Sequence, residues 1–466
     1  MPELRLISAD LDKYIHFDGT PLVCDVLSGL EENSFHIDHP CGKNGICGKC
    51  RIDISGQISP PDEREAEIGY RLSCRARLLG DAVIRLSKES NSVDSNNSDN
   101  DNNSYCSLPD NCGLAIDIGT TNIVISICDL KNKCEVKRIS SRNPQSAISA
   151  DVMGRIGAAI NGKLSELSDS VRNRIGEMLK DAGINTDKNT QCVITGNTAM
   201  MYIFCRMDTT ALSAAPFEPD FLFGSKTDAV WEGTALEVYI PKCIGAFVGA
   251  DLNCAILKSG MCMEGRTSLL TDIGTNAEIA LWKNNRLIVT SAAAGPAFEG
   301  SKMTGSEVID ILAALLKSGR MDYTGLLNEE ETADNFENPA SKISRLTQKE
   351  IRDLQLAKGA VMGGIKTLLE ITETSAEDID SFYIAGAFGS GMNIDNAVSI
   401  GLFPDEFKDN AHVLGNAALE GARMMLFDTK FRDTSAHTAS EAEAINLGGN
   451  PKFNANFLES LNFPKQ

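Results

Sequence analysis

Four short runs near the amino terminus, LRLI (residues 4–7), YIHF (14–17), CRIDI (50–54) and AVIRL (82–86), carry the alternating apolar and β-branched residues of half-buried strands. One apolar helix is expected at 22–30 and a glycine-rich loop at 42–48, so residues 1–86 read as a compact α+β module. The apolar pattern then stops. Residues 87–111 are almost wholly Ser, Asn and Asp, with too little apolar surface to offset the entropy of ordering, and predict a flexible tether. Beyond it, GLAIDIGTTNIVISICDL (113–130) predicts a strand, a tight turn and a second strand, and LLTDIGTNAEIALW (269–282) repeats that pattern with Asp-Ile-Gly-Thr in both. The clearest helix covers 350–371, where Ile351, Leu354, Ala357, Val361, Ile365 and Leu368 recur at spacings of three and four. A repeat of this size predicts two similar lobes, 112–260 and 261–466 with returning C-terminal helices, rather than a solenoid.

Composition narrows the function. A chain of 466 residues exceeds one ordinary core. Its 44 basic against 64 acidic residues give a net charge of −20, which opposes nucleic acid and anionic membrane surfaces as partners. The opening MPELRLISADLDKY lacks a basic stretch followed by an apolar core, and no run of eighteen apolar residues follows, so a cytoplasmic location is expected. Fourteen cysteines in so long a chain are too dilute for a disulfide scaffold and fit reduced thiols with a metal site.

Cys41, Cys47 and Cys50 follow a C-x5-C-x2-C spacing, and Cys74 stands further on. One loop wraps three thiolates around a cluster only if its backbone turns sharply; Gly42, Gly45 and Gly48 supply that freedom, and amides of such a loop stabilise the charge on the sulfurs. Four cysteines also suit tetrahedral zinc, but zinc sites usually come as two close CxxC pairs, whereas these are three plus one. His36 and His39 precede the loop; a Rieske centre replaces two cysteines rather than adding to four, so both read as surface residues. The remaining ten cysteines, such as Cys128, Cys192 and Cys254, are expected to fill cores. HPCGKNGICGKCRIDISG followed by YRLSCRARLLGD resembles the [2Fe-2S] ferredoxins, which implies a ferredoxin-like (β-grasp) fold and a [2Fe-2S] cluster on Cys41, Cys47, Cys50 and Cys74.

In the two repeats a carboxylate, Asp117 or Asp272, ends one strand just before a Gly-Thr turn. Gly119 and Gly274 let the backbone approach a phosphate, Thr120, Thr121, Thr275 and Asn276 lie where they can meet its oxygens, and the carboxylates can hold Mg²⁺ through water. A single such turn is common in ordinary hairpins; its duplication gives it weight. A third stretch, SFYIAGAFGSGMNIDNA (381–397), offers Gly386, Ala387, Gly389 and Gly391 as a flat surface for an adenosine.

In this order the three stretches resemble the phosphate-1, phosphate-2 and adenosine motifs of the acetate and sugar kinase, Hsc70 and actin (ASKHA) superfamily, implying a two-lobed α/β actin-like ATPase that binds ATP and Mg²⁺. GAFVGADLNCAIL (245–257) and GNAALEGARMMLF (415–427) resemble its two connecting helices. Sugar kinases of the superfamily place a catalytic Asp at the start of the first, where Asp251 stands. A helix cap is the plainer role for Asp251, and a carboxylate beside a helix amino terminus is expected to stay ionised.

With TGNTAM (195–200), AAAGPAFEG (292–300) and LQLAKGAVMGGI (354–365), nearly the whole chain resembles the ATP-dependent reductive activators of corrinoid proteins. The resemblance implies one electron passed from the cluster to Co(II) to regenerate Co(I). It also implies a corrinoid protein from a methyltransferase system or the acetyl-CoA pathway as partner, and a low-potential donor such as a ferredoxin or a flavoprotein. A homodimer is compatible with it. A plant-type cluster lies near about −400 mV, and each ~59 mV uphill costs about 1.4 kcal/mol for one electron, so coupling to ATP has a purpose. About 25 flexible residues reach ~25–30 Å, enough for a tethered cluster to move between partners. Two other readings stay open: an activator of 2-hydroxyacyl-CoA dehydratases or aryl-CoA reductases, and a small-molecule kinase with a redox domain. Cys47→Ser should abolish the visible absorption of the cluster while nucleotide affinity stays unchanged. Retention of two irons per chain by the variant, or zinc in the wild type, would refute the ligand set.

Overall fold

A computed structural model of the chain describes residues 2–7, 12–27, 51–62, 65, 71–85, 112–187, 189–231, 234–298, 303–328, 346–386 and 391–465. They fall into two units, Met1–Tyr105 with Arg142–Arg174 and Cys106–Ser141 with Ile175–Gln466. Cys41, Cys47, Cys50, His36, His39, the expected tether, Ala387 and Gly389 lie outside the described residues.

In the first unit, strands β1 (Glu3–Ile7), β2 (Asp12–His16), β3 (Arg51–Ile58), β4 (Arg71–Leu72) and β5 (Leu78–Arg85) form one mixed sheet in the order β2-β1-β5-β3-β4. Alternation decides which face is covered: Leu4, Leu6, Ile52, Ile54, Leu78, Ala82 and Ile84 point to one side and bury Val23 and Leu27 of helix α1 (Val23–Leu27). Helix α1 over a five-stranded sheet with β1 parallel to β5 is the β-grasp arrangement expected from the sequence. Farther along, Asp151 caps α2 (Val152–Ala158) by accepting from Gly154 N at 2.8 Å, and α3 (Leu164–Asp181) follows after a break at Gly162, whose φ is +88°. Arg155 is fully buried beneath this turn, donating to Ser149 O at 2.9 Å and Gln145 Oε1 at 3.0 Å.

The second unit holds two six-stranded sheets built on one plan. The first contains β6 (Cys112–Ile118), β7 (Asn122–Asp129), β8 (Cys134–Arg142), β9 (Gln191–Gly196), β10 (Ser225–Trp231) and β11 (Thr234–Ile240), in the order β10-β11-β9-β6-β7-β8. The other contains β12 (Ser268–Ile273), β13 (Ala277–Lys283), β14 (Arg286–Ala292), β15 (Ser381–Gly386), β16 (Ala411–Gly415) and β17 (Glu443–Ile445), ordered β16-β15-β12-β13-β14-β17. In each, the Asp-bearing strand turns back into an antiparallel partner and accepts a later strand in parallel on its other edge. The registers correspond residue by residue: Asp117 faces Thr195 and Ile118 faces Gly196, as Asp272 faces Ala385 and Ile273 faces Gly386. A Cβ at Gly196 would stand 2.6 Å from Ile118 O, and one at Gly386 2.2 Å from Ile273 O, so the close strand ends demand glycine at the same place in both sheets.

Helices α4 (Thr198–Phe204) and α5 (Ala250–Ser259) belong to the first half of this unit. The others are α6 (Gly305–Lys317), α7 (Gln348–Ile371), α8 (Ile394–Ser399), α9 (Ala417–Phe427), α10 (Lys430–Glu441) and α11 (Pro451–Glu459). α7 is the helix legible at 350–371; a capping box between Thr347 and Glu350 starts it, and Val361, Ile365 and Leu368 pack into the core with Ile279 and Leu281. Its buried Lys358 donates to the carbonyls of Ser460 and Asn462, the latter at 2.8 Å, and thereby fixes the segment after α11.

The segments expected to be connecting helices become α5 and α9. The first is shorter than its resemblance implied, since residues 245–249 form a loop before it. α9 leaves β16 of the second sheet and lays Leu419, Ala422, Met425 and Leu426 on Ala115 and Val193 of the first. It crosses α5 so closely that a Cβ on Gly421 would sit 2.1 Å from Cys254 O. Cys128, Cys192 and Cys254 are buried as expected, but Cys134 is exposed at the start of β8, and Cys112, Cys205 and Cys262 are only partly covered. Core filling therefore does not describe all the remaining thiols: an edge strand such as β8 presents alternate residues to water. Among the described residues no helix is long and apolar enough to cross a membrane.

Candidate functional site

Asp117 and Asp272 occupy the same position in their sheets, the last but one residue of β6 and β12, and both are partly buried. The turns that follow are tight. A Cβ on Gly119 would meet Asn122 O at 2.9 Å, Gly274 N donates to Asn276 O at 2.8 Å, and Gly295 N donates to Thr275 O at 2.7 Å. Thr120 and Thr121 share the first turn, and Thr275 and Asn276 the second. Gly386 closes β15 with φ of +101°, directly opposite the second turn's strand, where a Cβ would lie 2.6 Å from Asp272 Oδ1. Gly391 is exposed, with open space where its Cβ would be.

Asp251 is the second residue of α5. The cap position is held by Gly249 without a side-chain bond, so the capping role considered for Asp251 is not the one it has. Its Oδ1 accepts instead from Leu252 N at 2.9 Å. Nor does the helix end keep its proton affinity low: burial outweighs the backbone amides and raises it to about 6.

Electrostatic coupling joins these groups. Burial, with Asp251 nearby, raises Asp117 to about 7 against the bond it accepts from Asn416. A fourth carboxylate, Glu278, stands register-opposite Asp272 on β13 and accepts from Ser291 Oγ at 3.4 Å; burial and the charges of Asp251 and Asp272 push it well above the ordinary range. The hairpin register contained this signal, since a turn centred on Thr275 pairs residue 272 with 278.

Two asparagines were not singled out in the sequence either. Asn197 Nδ2 donates to Thr120 Oγ1 at 3.2 Å, and Asn416 Nδ2 to Asp117 Oδ2 at 2.9 Å. Their helix-capping positions are readable locally, but partners 77 and 299 residues away are not.

Among the described residues no three acidic, His or Cys side chains close into a ready-made metal cage. Mg²⁺ usually keeps waters and binds through one or two carboxylates together with a phosphate, a demand that Asp117 and Asp272 can meet. Tight turns whose glycines leave the backbone uncovered by side chains let its N–H groups approach a phosphate chain.

Of the four thiols assigned to a cluster, Cys74 is described. It lies buried in the turn between β4 and β5, next to Cys24 and Leu72. The turn is held by Glu65, 2% exposed, whose carboxylate accepts from Leu72 N at 2.8 Å and Arg71 Nε at 3.2 Å, and by Ser73 O accepting from Cys24 N at 2.9 Å. A thiol fixed on so well-bonded a turn suits a cluster ligand.

Three family models match the chain. Residues 18–79 match the 2Fe-2S iron-sulfur cluster binding domain, 112–264 the RACo middle region, and 266–304 and 302–466 the C-terminal domain of RACo, the ASKHA domain. The chain belongs to the RACo family. Its fold is accordingly a ferredoxin-like [2Fe-2S] domain followed by an actin-like ASKHA domain. This RACo-family chain is 27% identical over 418 residues to the corrinoid activation enzyme RamQ of Eubacterium limosum, covering 75% of this chain and 70% of that protein. It is 22% identical over 422 residues to the [Co(II) methylated amine-specific corrinoid protein] reductase of Methanosarcina barkeri, covering 75% and 77%. A solved structure of a reductive activator for corrinoid, iron-sulfur protein shares the fold with a TM-score of 0.70 at 22% identity over 100% of this chain and 99% of that one.

The raised proton affinity of Asp117 has a consequence for stability. Between about pH 4, its ordinary value, and about 7 the native nucleotide-free protein binds more protons than the unfolded chain, so stability falls as pH rises through that window. Asp117→Asn removes this loss. Thermal unfolding without nucleotide should show the variant matching wild type near pH 4 and exceeding it by a margin that grows up to pH 7 and then levels; a variant less stable at pH 8 would contradict the assignment.

Proposed function

We propose that this chain is an ATP-dependent reductive activator of a corrinoid protein, passing one electron to Co(II) to restore Co(I). The observation that carries the reading is the presence, in one chain, of a [2Fe-2S] binding domain and duplicated Asp-Ile-Gly-Thr hairpins with four carboxylates about them. The names of the relatives, a corrinoid activation enzyme and a Co(II) corrinoid protein reductase, point the same way.

Cys41, Cys47, Cys50 and Cys74 hold the cluster, which supplies one-electron storage at low potential. Gly119, Thr120, Thr121, Gly274, Thr275 and Asn276 receive the phosphates of ATP, and the Gly386–Gly391 stretch its adenosine. Asp117 and Asp272 hold Mg²⁺ through water, which supplies charge neutralisation at the phosphates. Asp251 orients the attacking water: its oxygens stand at a helix start, and a proton affinity near 6 keeps it mainly ionised at neutral pH. The nucleotide region lies between two sheets joined by α5 and α9, so a change in nucleotide state can alter the angle between the lobes and with it the docked corrinoid. Residues 1–86 carry the electron, 87–111 tether that module, and 112–260 and 261–466 act as the two lobes. The donor is a ferredoxin or flavoprotein, the setting is the cytoplasm, and a homodimer is compatible with the scheme.

The test is anaerobic. Corrinoid absorbance of a Co(II) corrinoid protein from the same cell is followed with a low-potential donor and this protein, with ATP, with a non-hydrolysable analogue, or with neither. Co(I) should form with Mg-ATP, and Asp272→Ala should lose at least about tenfold in both hydrolysis and reduction with the cluster spectrum unchanged. Equal reduction without nucleotide would reject coupling, and ATP-dependent phosphorylation of a small metabolite would identify a kinase.

A further inference from the structure

Asn197 and Asn416 do the same job at two places. Each follows a glycine at the end of a strand, β9 or β16, and each begins a helix: Asn197 Oδ1 accepts from Met200 N at 2.9 Å to cap α4, and Asn416 Oδ1 accepts from Leu419 N at 2.8 Å to cap α9. The amide nitrogen of each turns the other way, to Thr120 Oγ1 and to Asp117 Oδ2 respectively. At Asn416 the orientation of the amide is unambiguous. A backbone N–H can only donate, and a carboxylate accepts, so a flipped side chain would lose both bonds.

We infer that Asn416 is a positioning residue for nucleotide hydrolysis, which fixes the carboxylate of Asp117 and ties the first phosphate turn to the start of α9. The inference rests on the reading that Asp117 belongs to an ATP site. By occupying Oδ2, the amide fixes the plane of the carboxylate; a bond to a charged acceptor is the stronger kind, and the one that tethers best. α9 in turn crosses α5 at Gly421 and Cys254, and α5 carries Asp251. Asn416 therefore connects two carboxylates of the site through a pair of helices packed backbone to backbone. A shift of Asp117 on nucleotide binding changes the cap of α9, and a shift of α9 moves Asp117. Capping alone does not require this residue, since serine caps as well. Only a side chain with both an acceptor and a donor two bonds apart serves both ends.

That difference gives the experiment, run on the full-length protein as steady-state ATP hydrolysis with Mg²⁺ varied. In Asn416→Ser the hydroxyl can still cap Leu419 N but falls short of Asp117. Its melting temperature should match wild type, its kcat should fall about tenfold, and the Mg²⁺ concentration for half-maximal rate should rise several-fold, on the order of a lost charge-assisted bond. Asn416→Ala should show the same kinetic changes together with a melting temperature lower by a few degrees. A serine variant with wild-type kcat and Mg²⁺ dependence overturns the inference, as does a kinetic loss that appears only where the melting temperature drops. Absence of ATP hydrolysis by the wild type overturns the nucleotide reading itself, and with it this inference. Because the readout needs no corrinoid, failure of corrinoid reduction does not enter it.

Discussion

Four carboxylates gathered at one site, with Asp117 and Glu278 held above the ordinary range by burial and by neighbouring like charge, are the constraint on which the second unit turns. Asp117, Asp251, Asp272 and Glu278 come from two sheets and a helix; Asp251 pushes up the proton affinity of Asp117 and Glu278, and Asp272 that of Glu278. Nothing in a hydrophobic core would gain from this arrangement. It is costly until a cation enters, and a cation brought by a phosphate chain relieves it at once. On the proposed reading, that repulsion becomes differential affinity for a magnesium nucleotide.

The rest of the unit keeps those groups in register. One strand plan used twice delivers an aspartate to the same place in each sheet, and glycine at each neighbouring strand end lets the two strand ends come close. α5 and α9 join the sheets with almost no side chain between them at Gly421, so the relative position of the two halves is set by backbone contact. Packing of that kind favours discrete arrangements over continuous drift, as an ATP-driven clamp requires.

Much of this was legible in the sequence, and what was not has definite causes. Asp117 and Asp272 were readable because the repeated Asp-Ile-Gly-Thr lies in uninterrupted apolar strands, and α7 because its apolar positions keep a helical period over the whole run. The α+β module was readable from alternation, since its sheet has one covered face. Glu278 is not apparent from the motif itself, since it lies in the return strand outside the repeated Asp-Ile-Gly-Thr and only hairpin register places it opposite Asp272. Asn416 could not be found from sequence: its cap is local, but its bond to Asp117 depends on how α9 returns to the first sheet. Asp251 was expected to stay ionised beside a helix amino terminus; at about 6 it is mainly ionised at neutral pH, but its proton affinity is raised because the helix end is a weaker influence than loss of water at a crowded site.

Calorimetric titration of the protein with a non-hydrolysable ATP analogue, with and without Mg²⁺, tests most directly whether this cleft is a magnesium-nucleotide site. Mutual repulsion of the four carboxylates and of the phosphates with them requires binding at least about tenfold tighter with the cation present. Equal affinity in its absence, or no binding at all, would contradict the account.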